Sequence, residues 1–357
     1  MSAKTARYYH ASDQKELLKL YATEISSFYV SKRLEAFNWI TRSNPRAKNI
    51  SPGFIIDQGG KTIGYWCRMP IHLFIHGQKY IAFFSHECLV DASMRGQGFA
   101  KMLLEKLEKE TPFLLLSLWH NRSTYFLHVN RDWKPLYYRP SLKIIRLKQM
   151  LRDWVKRNPV TLVPLIAISL WGWVVEMKRP LAPEKNLQIS EIDNFDERFD
   201  WFFEQILHKL PVITERSSEI LRWKYSLIPY IQYQKLKVER NGNICGYSIL
   251  RKERNKGIIV DFLVDPDDIP AFHLLLSHSI KFFRNQKVSF VECLFTHSRF
   301  RNLARRHGFF PGKRKRENSL LVKDRSGILN AHLLNSLDNW HITFGDSDRD
   351  MWVGTRG

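Results

Sequence analysis

Apolar and polar positions along the N-terminal third predict helices followed by a series of strands. Residues 14 to 40 carry apolar side chains at helical spacing, and Ser43-Asn44-Pro45 ends that pattern. Short extended runs follow, the first two joined by a glycine turn at Gln58 to Gly60. The predicted strands span residues 53–57, 63–69, 72–75 and 80–90.

The stretch from Phe83 to Glu110, FFSHECLVDASMRGQGFAKMLLEKLEKE, changes pattern twice. It begins as an apolar run ending at Val90, continues through a glycine-containing loop, and ends with apolar residues at helical spacing from Phe99 to Leu107. Charged residues occupy the other face of that helix. The pattern predicts a strand, a loop and a helix that packs one face against a sheet.

The loop between this strand and helix is a predicted anion site. Gly96 and Gly98 allow close approach of a ligand to the backbone, and the first-turn amides of a helix have no partner within it. A dinucleotide fingerprint requires a small residue where the chain has Lys101, and a P-loop Gly-Lys-Ser/Thr is absent. A phosphate or pyrophosphate is the expected occupant, and a strand-to-helix turn without a ligand is the alternative.

The chain then continues with a strongly apolar run, Phe113 to Trp119, which predicts a central strand beside the one that leads into the loop. A short helix is expected between Asn121 and Trp133, followed by a final strand near Leu136 to Tyr138. This order completes one α/β unit.

The second half of the sequence repeats this order. The interval from Trp39 to Pro45 equals that from Trp223 to Pro229. Four segments match in sequence: 37–45 with 221–229, 60–65 with 242–247, 89–91 with 263–265, and 121–133 with 297–309. An ordered set of matches predicts two copies of one unit.

The copies differ at the loop. After Asp265 the second copy continues Pro-Asp-Asp and lacks the glycines, so we expect it to bind no pyrophosphate. Its basic residues are available for an anionic acceptor, or form a solvated basic surface: Arg299, Arg301, Arg305, Arg306 and 313–316.

Between the copies lie a basic amphipathic stretch, 147–157, and an uncharged segment, 160–175. The uncharged segment is shorter than a spanning helix and is interrupted by Pro164 and Gly172. A helix buried between domains and an in-plane membrane anchor both remain open. The predicted organisation is a first domain at 1–145, a linker at 146–185 and a second domain at 186–357.

Composition adds charge to this picture. The 357 residues suit two domains, and the net charge of +21 implies anionic neighbours such as cofactor phosphates, an acidic carrier protein, a membrane surface or nucleic acid. The four cysteines lie singly in apolar stretches, which predicts reduced thiols and no metal. The N-terminus lacks an apolar signal core, which predicts a cytoplasmic protein. Peripheral contact with the inner face of the membrane through 147–175 remains open.

The pattern Arg95-x-x-Gly98-x-Ala100, between an apolar strand and an amphipathic helix, resembles the acyl-CoA loop of the GNAT N-acetyltransferase superfamily, Arg/Gln-x-x-Gly-x-Gly/Ala. The segments 214–225 and 340–348 also resemble the tandem GNAT proteins of bacterial extracellular-polysaccharide loci. The resemblance implies an α/β fold with mixed sheets: two tandem GNAT-like domains, the second degenerate.

The same resemblance implies an acetyl-CoA or longer acyl-CoA donor. The diphosphate is expected on the amides of Gln97, Gly98, Phe99 and Ala100, with Arg95 and Gly96 shaping the loop, the pantetheine arm beside Cys88, Leu89 and Val90, and Asn121 near the cofactor. A strand amide would polarise the thioester carbonyl.

An acceptor amine is mostly protonated at neutral pH and requires a base. Glu87, a carboxylate inside an apolar strand, is the first choice, and Asp91 and His86 are reserves, although acids at such places also cap or bridge. His128 occupies the place where the family often has the tyrosine that protonates the leaving thiolate. A structural His128 is the alternative, with Tyr125 as the donor.

The predicted function is acyl transfer to an amine, implied to be on an amino sugar or a cell-envelope intermediate. An acylated carrier protein is an alternative donor. A non-catalytic module that binds membrane or nucleic acid is disfavoured by the intact loop, and no aromatic RNA-binding motif is present. Aminoacyl transfer from tRNA by paired GNAT-like domains would use the charge, but those enzymes generally lack this loop.

Overall fold

The computed structural model describes residues 5–24, 27–155, 166–167, 170–172, 174 and 186–346. The helices are α1 Gln14–Glu24, α2 Ser27–Thr41, α3 Phe99–Lys109, α4 Arg122–Val129, α5 Leu147–Val155, α6 Arg198–Ile206, α7 Ser218–Tyr225, α8 Ile269–Asn285, α9 Ser298–Arg305 and α10 Ala331–Asn335. The strands of the first half are β1 Ala6–Tyr8, β2 Gly53–Gln58, β3 Lys61–Ile75, β4 Gln78–Val90, β5 Leu114–Ser117, β6 Lys134–Tyr137 and β7 Ser141–Ile144. Those of the second half are β8 Leu187–Glu191, β9 Val212–Thr214, β10 Gln234–Arg240, β11 Asn243–Glu253, β12 Lys256–Val264, β13 Phe290–Cys293, β14 Phe310–Pro311, β15 Ser319–Asp324 and β16 Trp340–His341.

The strands form two mixed sheets, so the predicted α/β class is confirmed. The first sheet has the order β1-β2-β3-β4-β5-β15-β6, with β9 pairing β3 and β16 pairing β9. The second sheet has the order β14-β7-β13-β12-β11-β10-β8. The pairs β4–β5 and β12–β13 are parallel, at equivalent places in the two sheets. The apolar run at 113–119 forms the central strand β5 beside β4, as predicted.

Each sheet contains strands from the opposite half of the sequence, namely β9, β15 and β16 in the first sheet and β7 in the second. Strand β15 pairs with β5 on one side and β6 on the other, inside the first sheet. Strand β7 pairs with β13 and β14, inside the second sheet. The domain boundaries predicted from the sequence, at 145 and 186, did not include this exchange of strands. Because of the exchange, each sheet depends on residues from both halves.

The repeat is visible in the strand register. In the first sheet Gly64 pairs with Val90 and Tyr65 with Leu89. In the second sheet the matched residues pair in the same way, Gly246 with Val264 and Tyr247 with Leu263. Sequence matches that are equivalent in register support two copies of one unit.

The matched tryptophans join the two halves. The rings of Trp39 in α2 and Trp223 in α7 are stacked, with centroids 4.5 Å apart and an interplanar angle of 19°. Each indole nitrogen donates a hydrogen bond of 3.0 Å to the backbone carbonyl of the other tryptophan. Such reciprocal contacts indicate a local pseudo-two-fold relation between the copies.

Strand β3 is longer than predicted. The sequence predicts two strands, 63–69 and 72–75, because Pro70 lacks an amide hydrogen, but β3 runs from Lys61 to Ile75 without a break. Pro70 lies between the part of β3 that pairs with β2 and the part that pairs with β9. On the edge of β3 that faces away from β4, Pro70 has no partner strand among the described residues. The missing amide hydrogen therefore breaks no ladder hydrogen bond on that edge.

The segment between the copies is described only in part. Helix α5 is amphipathic. Most of 160–175 lies outside the described residues, so the structure does not decide between a helix buried between domains and a membrane anchor. None of the helices in the described ranges has the length and apolar character needed to cross a membrane.

Candidate functional site

The loop before α3 is open. Gly96 and Gly98 have φ angles of 80° and 84°, and a Cβ atom at either position would meet no atom within 4 Å. Gly98 is the N-cap of α3 and has no side chain to satisfy the first-turn amides. Within the described residues the amides of Gly96, Gln97 and Gly98 donate to no protein acceptor. The loop can therefore accept an anion on its backbone.

The position of α3 is fixed by its apolar face. Phe99, Leu103, Leu104 and Leu107 are buried in the cluster that covers one face of the first sheet. Each fully buried leucine side chain contributes roughly 2 kcal/mol from burial. The helix mouth is thereby held at the carboxyl end of β4.

Strands β4 and β5 separate beside this mouth. Their parallel pairing is limited to Ala82, Phe83 and Phe84 with Leu114, Leu115 and Leu116. From Ser85 to Val90, β4 pairs only with β3 among the described strands. A strand edge that lacks a partner offers amide and carbonyl groups to an extended ligand. The edge includes the predicted pantetheine contacts Cys88, Leu89 and Val90.

Arg95 anchors the loop to the protein. Its guanidinium forms an ion pair with Glu24 at the end of α1 and donates to the carbonyl oxygen of Val90 at 3.2 Å. Glu24 also accepts a hydrogen bond from the amide of Ala92 at 3.0 Å. Of the two roles considered for Arg95, this geometry favours orienting the loop.

Glu87 lies on β4 with its side chain 14% exposed and is already paired. One carboxylate oxygen accepts from Arg33 at 2.7 Å, and the other accepts from the hydroxyl of Tyr21 at 2.6 Å. Arg33 stabilises the charged carboxylate, which opposes the effect of burial. The sequence did not reveal these partners, because α1 and α2 contribute them from more than fifty residues away.

The two reserve bases have structural contacts. The carboxylate of Asp91 accepts hydrogen bonds from Lys61 and from Ser93, and these lower its pKa to about 2. A group so acidic is a poor base at neutral pH. The Nε2 atom of His86 lies 3.3 Å from the sulfur of Met69, and the residue is 9% exposed. Glu87 remains the better placed candidate base.

His128 is a core residue. Its Nδ1 atom lies 2.6 Å from the carbonyl oxygen of Thr124 and its Nε2 atom 3.3 Å from Ser85, while Trp66 and Trp133 pack edge-on against the ring. Burial lowers the pKa of His128 to about 4. The imidazole is neutral at pH 7 and bonded on both nitrogens. These contacts favour the structural alternative over an imidazolium acid.

Tyr125 lies one turn earlier on α4. Its hydroxyl is 2.6 Å from the hydroxyl of Tyr137 in β6. Burial, followed by this hydrogen bond, raises the pKa of Tyr125 to about 12, so the phenol keeps its proton at neutral pH. Asn121 is the N-cap of α4 and accepts from the amide of Thr124. At neutral pH the Tyr125 phenol keeps a proton to donate, whereas His128 lacks the second proton of an imidazolium.

The corresponding helix mouth in the second half is occupied by protein. Asp268 is the N-cap of α8, accepts from the amide of Ala271 at 3.0 Å and pairs with Arg240 at 2.6 Å. Asp265 accepts from Lys209 at 2.7 Å. Carboxylates at this mouth repel a phosphate, in accord with the expectation that the second copy binds no pyrophosphate.

A buried ionic cluster lies elsewhere in the second half. Arg216 contacts Asp261 at 3.0 Å and Asp346 at 2.8 Å, and all three side chains are fully buried. Tyr225 and Tyr247 both donate to Asp261. Much of the 214–225 and 340–346 segments surrounds this cluster, so these segments are part of the internal structure.

None of the four cysteines, all within the described residues, forms a disulfide; Cys67 and Cys293 are buried, and Cys88 and Cys245 are half-buried. In the ranges that the structure describes, no group of three His, Cys, Asp or Glu side chains is arranged to bind a metal.

Solved structures with a similar fold include two GCN5-related N-acetyltransferases and an N-myristoyltransferase. A GCN5-related N-acetyltransferase from Anabaena variabilis ATCC 29413 aligns with a TM-score of 0.60 at 12% identity, covering 90% of this chain and 73% of that one. A GCN5-related N-acetyltransferase from Kribbella flavida aligns with a TM-score of 0.57 at 7% identity, covering 90% and 71%. Saccharomyces cerevisiae N-myristoyltransferase with bound myristoyl-CoA aligns with a TM-score of 0.55 at 14% identity, covering 90% and 82%.

The chain has the GNAT fold. No protein-family model and no curated protein sequence matches it. At these identities the likeness concerns the fold alone. The loop, the separated strands β4 and β5 and the paired acid Glu87 belong to the first unit, and the second unit has acids at its helix mouth.

Proposed function

We propose that this protein transfers an acyl group from acyl-CoA to an amine. The observation that carries the proposal is the open, glycine-capped mouth of α3 beside the unpaired edge of β4. The mouth suits a diphosphate and the edge suits the amide-containing pantetheine arm. A fold shared with N-acetyltransferases, and with an N-myristoyltransferase that binds myristoyl-CoA, supports the same conclusion.

In the proposed reaction, the loop amides from Gln97 to Ala100 bind the diphosphate and a β4 amide near Cys88 polarises the thioester carbonyl. The neutral amine attacks the carbonyl carbon, a C–N bond forms, and the C–S bond breaks as the tetrahedral intermediate collapses. Placing the two reactants together supplies much of the acceleration.

Two side chains transfer the protons of the reaction, one as the base and one as the acid. Glu87 takes the proton of the amine, directly or through water, and Arg33 and Tyr21 position its carboxylate. Tyr125 gives its proton to the leaving thiolate and recovers one from Tyr137 or from solvent. Under this assignment His128 is a structural residue.

For the acceptor we propose an amine on an amino sugar or a cell-envelope intermediate. Support comes from the resemblance of 214–225 and 340–348 to tandem GNAT proteins of polysaccharide loci. The net charge of +21 favours anionic partners and supports an acylated carrier protein as the second candidate donor. We place the reaction in the cytoplasm.

The proposal is tested by thermal unfolding with acetyl-, lauroyl- and myristoyl-CoA. We expect at least one acyl-CoA to raise the melting temperature, Gly98→Trp to abolish the shift and Arg95→Glu to reduce it. Gly242→Trp is the matched control, because Gly242 has the same φ of 84° and equal space around it but lies in the β10–β11 turn. An equal shift in the Gly98 variant contradicts the proposal, and a shift only with acylated carrier establishes the second donor.

A further inference from the structure

A cavity of about 430 Å³ lies where the two halves meet. Its walls come from β6 and β7 of the first half, from α9 and β14 of the second half, and from residues 335–338. The strands exchanged between the sheets pass beside it. Neither the acyl-CoA loop nor the separated part of β4 lines this cavity.

The lining is strongly basic. Four arginines, Arg139, Arg301, Arg305 and Arg314, line the cavity, and Asp338 is the one acidic residue among them. Asp338 is paired with Arg301. Within the described residues the other three arginines form no ion pair. Three uncompensated positive charges at one concave surface favour an anionic ligand.

Several of these guanidinium groups are oriented by the protein. The Nε atom of Arg139 donates to the carbonyl oxygen of Gly312 at 2.7 Å, and Arg301 donates to the carbonyl oxygen of Thr296 at 2.7 Å. Arg314 lies over the ring of Tyr137, 5.5 Å from its centroid. Each guanidinium has five N–H donors, so these contacts leave donors available. Orientation before binding reduces the entropy that a ligand must overcome.

We propose that this cavity binds a small organic molecule that carries a phosphate group. Arginine side chains bind phosphate oxygens in a bidentate geometry. The aromatic residues Tyr137, Phe295 and Phe310 provide apolar surface for the body of the ligand. The volume lies within the roughly 300–1,000 Å³ that is usual for small-molecule sites. The site is separate from the acyl-CoA loop, and the proposal does not depend on acyl transfer.

The test measures binding of inorganic pyrophosphate to the full chain by calorimetry at low salt. We expect the double variant Arg305→Ala/Arg314→Ala to weaken binding at least tenfold. Arg306→Ala is the matched control, because Arg306 follows Arg305 at the end of α9 and does not line the cavity. We expect this control to change the affinity by less than twofold.

Four outcomes overturn the proposal. Pyrophosphate fails to bind, or Arg306→Ala weakens binding as much as the double variant does, which shows a response to net charge alone. Binding is lost in the Gly98 variant and retained in the double variant, which assigns pyrophosphate to the acyl-CoA loop. Citrate binds as tightly as pyrophosphate, which removes the selectivity for phosphate. Circular dichroism of the double variant checks that the exposed substitutions leave the fold intact.

Discussion

The two halves place an acidic side chain at equivalent strand positions and surround it differently. Glu87 in β4 and Asp261 in β12 each lie two residues before the matched Leu-Val pair. Both acids pair with an arginine and accept a tyrosine hydroxyl. Asp261 is fully buried, whereas Glu87 remains 14% exposed beside the separated strands. One scaffold position thus serves internal structure in one copy and candidate chemistry in the other.

The helix mouths show the same contrast. Gly98 leaves the first-turn amides of α3 open, whereas Asp268 caps α8 with its own carboxylate. A protein side chain in the second unit occupies the place that we assign to a ligand phosphate in the first. The comparison indicates that the second unit gains stability from the Asp268 cap at the helix mouth, the position that is left open for binding in the first unit.

The largest expected difference between the halves is in stability. Arg216→Met leaves Asp261 and Asp346 buried without their guanidinium partner, and we expect a loss of about 3–5 kcal/mol in the free energy of unfolding. Arg33→Met, the equivalent change at Glu87, should cost about 1–2 kcal/mol, because Glu87 still reaches solvent. Urea unfolding of both variants measures the difference. Equal losses would mean that the two acids are equally structural.

For turnover, the larger effect is expected in the first half, at Glu87, and not at Asp261. Glu87→Gln removes the candidate base, and we expect kcat to fall by about 10²–10⁴-fold. The affinity for acyl-CoA should be unchanged, because Glu87 is assigned to the acceptor amine. Steady-state kinetics and calorimetry separate the two effects. A kcat within threefold of the original would remove Glu87 from the mechanism.

The third contrast concerns His128, whose counterpart in the matched segment of the second half is Ala304. The folded chain has a His128 pKa of about 4, below the ordinary value of 6.5. Between these values the unfolded chain binds a proton that the folded chain does not, so stability falls as pH decreases through this window. From pH 7 to pH 5 the original chain should lose about 2 kcal/mol more than His128→Gln.

Thermal and urea unfolding at both pH values test this expectation. An identical pH dependence in the two chains would show that His128 takes up a proton in the folded state, and would restore it as a candidate acid.

The smallest expected effect is at the closed mouth. Asp268→Ala removes the cap of α8 and should cost about 1 kcal/mol of stability. It should create no acyl-CoA binding, since Asp265 and Asp267 remain nearby and no glycine opens the turn. Binding of acyl-CoA to a chain that carries both Gly98→Trp and Asp268→Ala would contradict this expectation.

Local patterns predicted much of the first unit. The helical spacing from Phe99 to Leu107, the central position of β5 and the glycine loop are set by neighbouring residues, and the structure contains all three. The repeat was also predicted from the sequence, and the structure supports it because Gly64 and Gly246 occupy equivalent positions in the strand register. The basic residues Arg301 and Arg305 were recognised, but Arg139, which lies in the first half of the chain, was missed at the same cavity.

Contacts between distant residues were not predictable in this way. The partners of Glu87, Tyr21 and Arg33, come from helices that precede it by more than fifty residues. The role of His128 depends on Ser85 and on packing against two tryptophans. The exchange of β7 and β15 was missed because a short apolar run does not specify which sheet it joins.

The exchange of strands also affects synthesis of the chain. The first sheet lacks the strand between β5 and β6 until residues 319–324 have left the ribosome, so the N-terminal unit cannot finish folding while it is being made. A fragment that ends before residue 319 has two exposed strand edges in its place and is expected to aggregate. Nonsense mutations in the second half that fall before residue 319 would therefore eliminate the first unit as well.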